Sequence, residues 1–219
     1  MMIPNHHPIN RDGLVLWLGY KNTGSVAATG TWKDYSGNGN DGTLIADAYV
    51  DSGGLHLDGT GDYVSFSSNP LRFGQSDFTA SMWVKRDGTG TEGLLHLQED
   101  SSLNPGSWWL RFESDNTCRF LIDKGLSADD TKTTDTFGSG VWYHLVARRD
   151  SGSTLKIYIN GIEKASGVDT GFDLSGNDGD FIGKVSSAYF NGQIDDMMIF
   201  NRALSAGEIQ GLYQRTLRA

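Results

Sequence analysis

Leu155-Lys156-Ile157-Tyr158-Ile159-Asn160-Gly161 is the stretch whose reading decides the fold. Leu155, Ile157 and Ile159 alternate with Lys156 and Tyr158, and a period of two turns successive side chains to opposite faces of a strand. Asn160-Gly161 then provides the two positive-φ residues that a type I′ hairpin turn requires. Working outward, short segments of the same kind recur: residues 13–18, 78–84, 94–97, 108–112, 119–122, 142–147, 181–183 and 190–200. Leu55-His56-Leu57-Asp58 and Tyr63-Val64-Ser65-Phe66 flank Gly59-Thr60-Gly61-Asp62, which reads as a second hairpin. About eleven or twelve strands are expected, with no helical period between them, so the pattern predicts a sandwich rather than a βαβ alternation.

Composition agrees. Of the 219 residues, 29 are Gly and only 4 are Pro, while 22 of the 27 acidic residues are Asp and 5 are Glu. Asp competes for backbone hydrogen bonds and favours turns, so this is a chain of many short strands and tight turns. With 37% hydrophobic residues it can build a core. The net charge of −9 lacks the basic footprint of nucleic-acid binding. No apolar run is long enough to insert in a membrane, and Cys118, the single cysteine, excludes a disulfide framework. One helix is expected at the end, over 204–213, with Ser205 and Glu208 as a capping box, Leu204 and Ile209 as its staple, and Leu212 and Tyr213 facing the sandwich. Residues 1–12 read as a polar N-terminal arm and 13–219 as one domain.

Several segments, in this order, resemble the laminin-G-like branch of the concanavalin A-like jelly rolls. They are Gly13-Leu14-Val15-Leu16-Trp17, Asp34-Tyr35-Ser36-Gly37-Asn38-Gly39-Asn40-Asp41-Gly42, and Leu57-Asp58-Gly59-Thr60-Gly61-Asp62-Tyr63-Val64. Trp142-Tyr143-His144-Leu145-Val146-Ala147 and Gly192-Gln193-Ile194-Asp195-Asp196-Met197-Met198-Ile199-Phe200 follow. The resemblance covers roughly 13–213 and implies an all-β jelly roll of two antiparallel sheets packed face to face, plus the short C-terminal helix. It implies function far less, because one fold hosts many functions.

Catalytic patterns are missing from the sequence. Glucanases of this fold alternate carboxylates along one strand, where a pair can share acid and nucleophile roles. Here Glu113-Ser114-Asp115 has no third carboxylate, and Glu99-Asp100 and Asp195-Asp196 are adjacent, so their members point to opposite faces. His144 reads as a packed strand histidine and Cys118 as a small buried hydrophobe. The expectation is therefore a protein that is not an enzyme.

Two candidate sites remain. Asp34, Ser36, Asn38 and Asn40 place side-chain oxygens at every second position with glycines between, a donor set suited to calcium. Ile45 stands where an EF-hand loop has its bidentate Glu, so completion must come from elsewhere; the resemblance implies Asp195. Alternation puts Asp195 on the face of Met197 and Ile199, where its carboxylate must find a partner. A structural calcium held by Asp34, Asn38, Asn40 and Asp195 is one expectation; hydrogen bonding of these carboxylates without an ion is the other.

The second site is a ligand face. Trp108 shares a side with Leu110 and Phe112, so Trp109 points outward with Arg111 and Glu113. Arg119 and Asp123 point outward from the next strand. Trp109, Arg111 and Arg119 are expected to form an aromatic and cationic patch, rimmed by Tyr189, that contacts a glycan or a protein surface. Together these readings predict non-catalytic recognition or adhesion. The start lacks a secretion signal, so the expected setting is a virion surface, as a phage decoration or receptor-binding protein touching capsid or tail proteins. An extracellular setting and a homo-oligomer are compatible. A carbohydrate-binding module from a secreted bacterial enzyme and an atypical glycanase or lyase are the alternatives.

Overall fold

The computed structural model describes residues 9–19, 30–98, 106–175 and 179–215. Residues 1–8 of the expected arm lie outside these. In chain order the strands are β1 (Leu14–Leu18), β2 (Thr31–Trp32), β3 (Gly42–Ile45), β4 (Tyr49–Asp51), β5 (Gly54–Asp58), β6 (Tyr63–Ser65), β7 (Phe78–Arg86), β8 (Glu92–Gln98) and β9 (Ser107–Phe112). Next come β10 (Cys118–Asp123), β11 (Ala128–Lys132), β12 (Trp142–Asp150), β13 (Thr154–Ile159), β14 (Ile162–Val168), β15 (Gly179–Ile182), β16 (Lys184–Val185), β17 (Ala188–Tyr189) and β18 (Asn191–Phe200). Helix α1 (Ala206–Arg215) closes the described chain.

Two antiparallel eight-stranded sheets result. The first runs β14-β13-β12-β7-β18-β5-β4 with β1 also on β18, and the second runs β11-β10-β9-β8-β15-β6-β3-β2. Their inner faces interdigitate in one core that includes Leu16, Met82, Val84, Trp108, Phe120, Ile157 and Ile199. A second cluster lies on the outside of the first sheet, where Ile209 and Leu212 of α1 cover Val146, Tyr158 and Met198. The helix starts as expected: the Ser205 hydroxyl accepts the Glu208 N–H at 3.3 Å, and the Glu208 carboxylate accepts the Ser205 N–H at 2.9 Å. Asn160-Gly161 also turns as expected, with φ of 51° and 79°.

Three expectations are corrected. The described residues hold eighteen strands, because polar or very short strands such as β11, β14, β16 and β17 carry no apolar alternation; β11 and β14 are sheet edges, where polarity guards unpaired backbone. Gly59-Thr60-Gly61-Asp62 does not make a hairpin. β5 pairs with β18 and β4 while β6 pairs with β15 and β3, so this turn is a corner between the two sheets. The Asp62 carboxylate pins it by accepting the N–H groups of Asp47 at 2.9 Å and Asp58 at 3.0 Å. Finally, Asp195 does not share the face of Met197 and Ile199. Ile194, opposite Val84, is in the core, and a bulge between Asp195 and Met198, with Asp196 at φ 44°, shifts the parity before Met197 returns to the core.

Candidate recognition surface

Register places the outward patch. β9 and β10 pair with Arg111 opposite Arg119 and Trp109 opposite Leu121. Trp108 is fully buried and donates its indole N–H to the Leu71 carbonyl at 3.0 Å, while Trp109 is half-buried on the other face. The Arg111 guanidinium lies 4.1 Å from the Trp109 ring centre and that of Arg119 5.7 Å. Arg111 donates to both Glu113 oxygens at 3.1 and 3.3 Å, and Arg119 donates to Asp130 at 2.7 Å. The expected trio is therefore assembled, with its indole face stacked by guanidinium and its cations already ion-paired.

Tyr189 stands in a different group. It surrounds the Lys184 ammonium together with Tyr63 and Phe181, at centroid distances of 5.7, 4.7 and 5.1 Å respectively. Register puts Phe181 in the same cross-strand row as Trp109, with His96 of β8 between them. His96 is buried, and burial first, then the Lys184 charge, lowers its pKa to about 4, so it stays neutral. Sequence reading missed Lys184, Tyr63 and Phe181. The signal for Phe181 was its place between Asp180 and Ile182, both fully buried, which turns the ring outward.

The Asp/Asn loop wraps the edge of β1. The Asp34 carboxylate accepts the N–H groups of Trp17, Ser36 and Asn40 at 2.8–3.0 Å and the Ser36 hydroxyl at 2.7 Å. Asn38 and Asn40 turn their amide N–H2 groups onto the carbonyls of Leu14 and Val15. Asp195 sits on β18, across β1 from Asp34, which bridges to Leu18 from the other side. As arranged, Asp34 is filled by donors and the two amides present nitrogen inward, so this donor set suits backbone capping better than a cation. Among the described residues no three His, Cys, Asp or Glu side chains are grouped to hold a metal.

The residues weighed for catalysis are engaged elsewhere. Glu113 binds Arg111, and Asp115 is paired with Lys132 at 2.7 Å, which holds its carboxyl well below the usual range. Glu99-Asp100 lie outside the described residues. His144 is buried with Nε2 2.9 Å from the Ser81 hydroxyl, and burial lowers its pKa to about 4. Cys118 is fully buried beside the core, which pushes its thiol pKa far up. No helix among the described residues is long and apolar enough to cross a membrane.

A family model described as the concanavalin A-like lectin/glucanases superfamily, in its laminin G form, matches residues 58–210. Similar solved structures include the binding domain of Paraclostridial Mosquitocidal Protein 1, with TM-score 0.69 and 23% identity over 93% of this chain and 52% of that one. The binding domain of botulinum neurotoxin DC in complex with rat synaptotagmin II gives TM-score 0.70 and 18% identity over 95% and 53%. The same domain in complex with SialylT gives 0.70 and 17% over 94% and 51%. The chain thus spans about half the length of these structures, and the likeness is one of fold. No curated protein matches it in sequence.

Proposed function

Because the chain belongs to the laminin G-like branch of the concanavalin A-like lectin/glucanase superfamily, we propose that it is a non-catalytic recognition module whose Trp109 face adheres to a protein surface. The observation that carries this reading is the Trp109–Arg111–Arg119 cluster. Trp and Arg are the residues that anchor protein interfaces. Here they are pre-ordered by Glu113 and Asp130, so little side-chain freedom remains to be lost on binding. Guanidinium stacking on the indole favours a protein partner over a sugar, which needs a bare ring face. Binding domains of the same fold take both kinds of partner, synaptotagmin and SialylT.

Display on a particle or cell exterior is part of the proposal. Immunogold labelling of intact particles tests that setting. The binding claim is tested by interferometry against surface proteins and whole cells. Trp109→Ala should weaken binding about 30-fold, the effect of losing an anchor worth about 2 kcal/mol. Unchanged binding by a folded Trp109→Ala protein would remove this face from the function.

A further inference from the structure

His144 lies where helix α1 meets the first sheet. It stands on the outer face of β12, with Trp83 of β7 beside it and Asp195 of β18 one strand further along the same row. The Tyr213 ring of α1 covers both rings, 5.9 Å from the imidazole centre and 5.9 Å from that of Trp83. His144 is thus buried by the helix, not by the opposite sheet. Its Nε2 has the Ser81 hydroxyl at 2.9 Å, while Nδ1 is buried with no hydrogen-bond partner. A neutral imidazole tolerates this, because Nδ1 can keep a bare lone pair. A protonated one places an N–H and a positive charge there with no acceptor.

The groups that face His144 give the charge no support. They are Ser81 and Trp83 from β7 and Tyr213 from α1, with Asp195 beyond Trp83; Asn160, at the end of β13, is turned to the His144 backbone N–H at 2.9 Å. On the same face Arg148, Lys156 and Glu163 are tied to one another through Tyr158 and Glu163. Burial is accordingly the whole cause that lowers the His144 pKa from 6.5 to about 4.

The helix above it is lightly held. A Cβ at Gly207 or Gly211 would meet nothing within 4 Å, so packing requires neither glycine. A glycine inside a helix weakens it about fivefold relative to alanine. A cleft of about 310 Å³ lies between these glycines, Phe200 and Leu204. Docking rests on Ile209, Leu212 and Tyr213 and on the Arg202–Glu208 ion pair at 2.7 Å.

We propose that α1 is an acid-released flap: proton uptake by His144 frees the helix from the first sheet and uncovers the apolar face formed by Val146, Tyr158, Met198 and Phe200. Undocking exposes the imidazole and returns it to its ordinary value of 6.5. Docking is fully favoured above that value, weakens as pH falls from 6.5 toward 4, and stays weakened below. From these two values the ratio of undocked to docked helix rises about 30-fold between pH 7.5 and 5.0. Glu208, held low by Arg202, contributes less than about twofold in that range, since its carboxyl is mostly ionised in both states. The other buried histidine among the described residues, His96, meets Ser186 between β16 and β17 on the second sheet, away from α1.

Hydrogen–deuterium exchange of the 206–215 amides at pH 7.5 and 5.0, each rate divided by the intrinsic rate at that pH, tests the flap. The expected result is an about 30-fold rise in normalised α1 exchange at pH 5.0, with a much smaller rise in β7 and β13. His144→Gln keeps a partner for Ser81 and takes no proton, so its α1 rise should fall below about twofold. Gly211→Ala leaves His144 in place and should slow α1 exchange about fivefold at both pH values while keeping the 30-fold rise; with the natural protein it carries the test if His144→Gln does not fold. Normalised α1 exchange unchanged between the two pH values, a full rise surviving in folded His144→Gln, or a rise shared equally by β7 and β13 would overturn the proposal.

Discussion

Asp180 gives the sharpest test of how this core is built. It lies on β15 opposite Leu97, fully buried between the sheets. One carboxyl oxygen accepts the Leu71 N–H at 2.7 Å, and the other has no hydrogen-bond partner. Burial raises its pKa from 3.8 to about 6, against the downward pull of Leu71 N–H and Arg72. A raised carboxyl pKa means that the folded state holds its proton more tightly than the unfolded chain. Stability is therefore unaffected below the unfolded value, falls as pH rises from about 4 to about 6, and stays lowered above that. At 1.36 kcal/mol per unit, the whole penalty is about 3 kcal/mol, of which about 2 kcal/mol develops between pH 4.5 and 7.5. Asp180→Asn keeps an acceptor for Leu71 and cannot ionise. Its N–H2 group will cost about 1–3 kcal/mol for want of an acceptor, but equally at both pH values. Urea unfolding followed by tryptophan fluorescence at pH 4.5 and 7.5 should thus show the natural protein losing about 2 kcal/mol more than the variant across that range. Parallel losses in the two proteins would refute the assignment of the raised pKa to Asp180.

Arg149 and Asp169 form an ion pair with neither side chain exposed, and the guanidinium also donates to the Gly74 and Phe172 carbonyls. Asp169→Ala leaves that charge buried without its partner, so we expect a loss of about 3–5 kcal/mol and a drop in Tm on the order of 10 °C in a thermal melt. Ser205→Ala removes the hydroxyl that caps α1 and should cost about 1 kcal/mol in chemical denaturation. Chelator and added calcium should leave the melting curve unchanged, because the Asp34 oxygens already accept four protein donors; a calcium-dependent rise in Tm would show that Asn38 and Asn40 turn their oxygens inward.

How far the fold was legible depends on where each strand lies. Strands with both neighbours present, such as β7, β12 and β13, carry apolar runs that mark them plainly. Edge strands do not: β14 is exposed along most of its length, and β11 reads Ala-Asp-Asp-Thr-Lys. Each pairs with the strand just before it in sequence, β11 with β10 and β14 with β13, through backbone hydrogen bonds that leave no apolar alternation to read. The same limit explains the corner at residues 59–62. Gly-Thr-Gly-Asp fits a tight hairpin and a sheet-to-sheet turn equally well, and the choice is made by β18 and β15, which claim β5 and β6 for different sheets.

The two faces of the sandwich differ in legibility for a related reason. Trp109, Arg111 and Arg119 sit on adjacent strands joined by one short turn, so parity within each strand was enough to bring them together. The cross-strand row Tyr49–His56–Gln193–Lys85–Trp142 draws on β4, β5, β18, β7 and β12, which are scattered between residues 49 and 193. That alignment was not legible in the sequence, because it needs four pairings and the unread strand β4. Asp195 shows the opposite failure, where one bulge residue was enough to reverse a parity argument that was sound on both sides of it. A surface built from sequence neighbours announces itself through alternation, whereas one built across the sheet exists only through register. Substitutions that shift register at the Asp195–Asp196 bulge should therefore displace Gln193 from its place between His56 and Lys85 while leaving the Trp109 face intact.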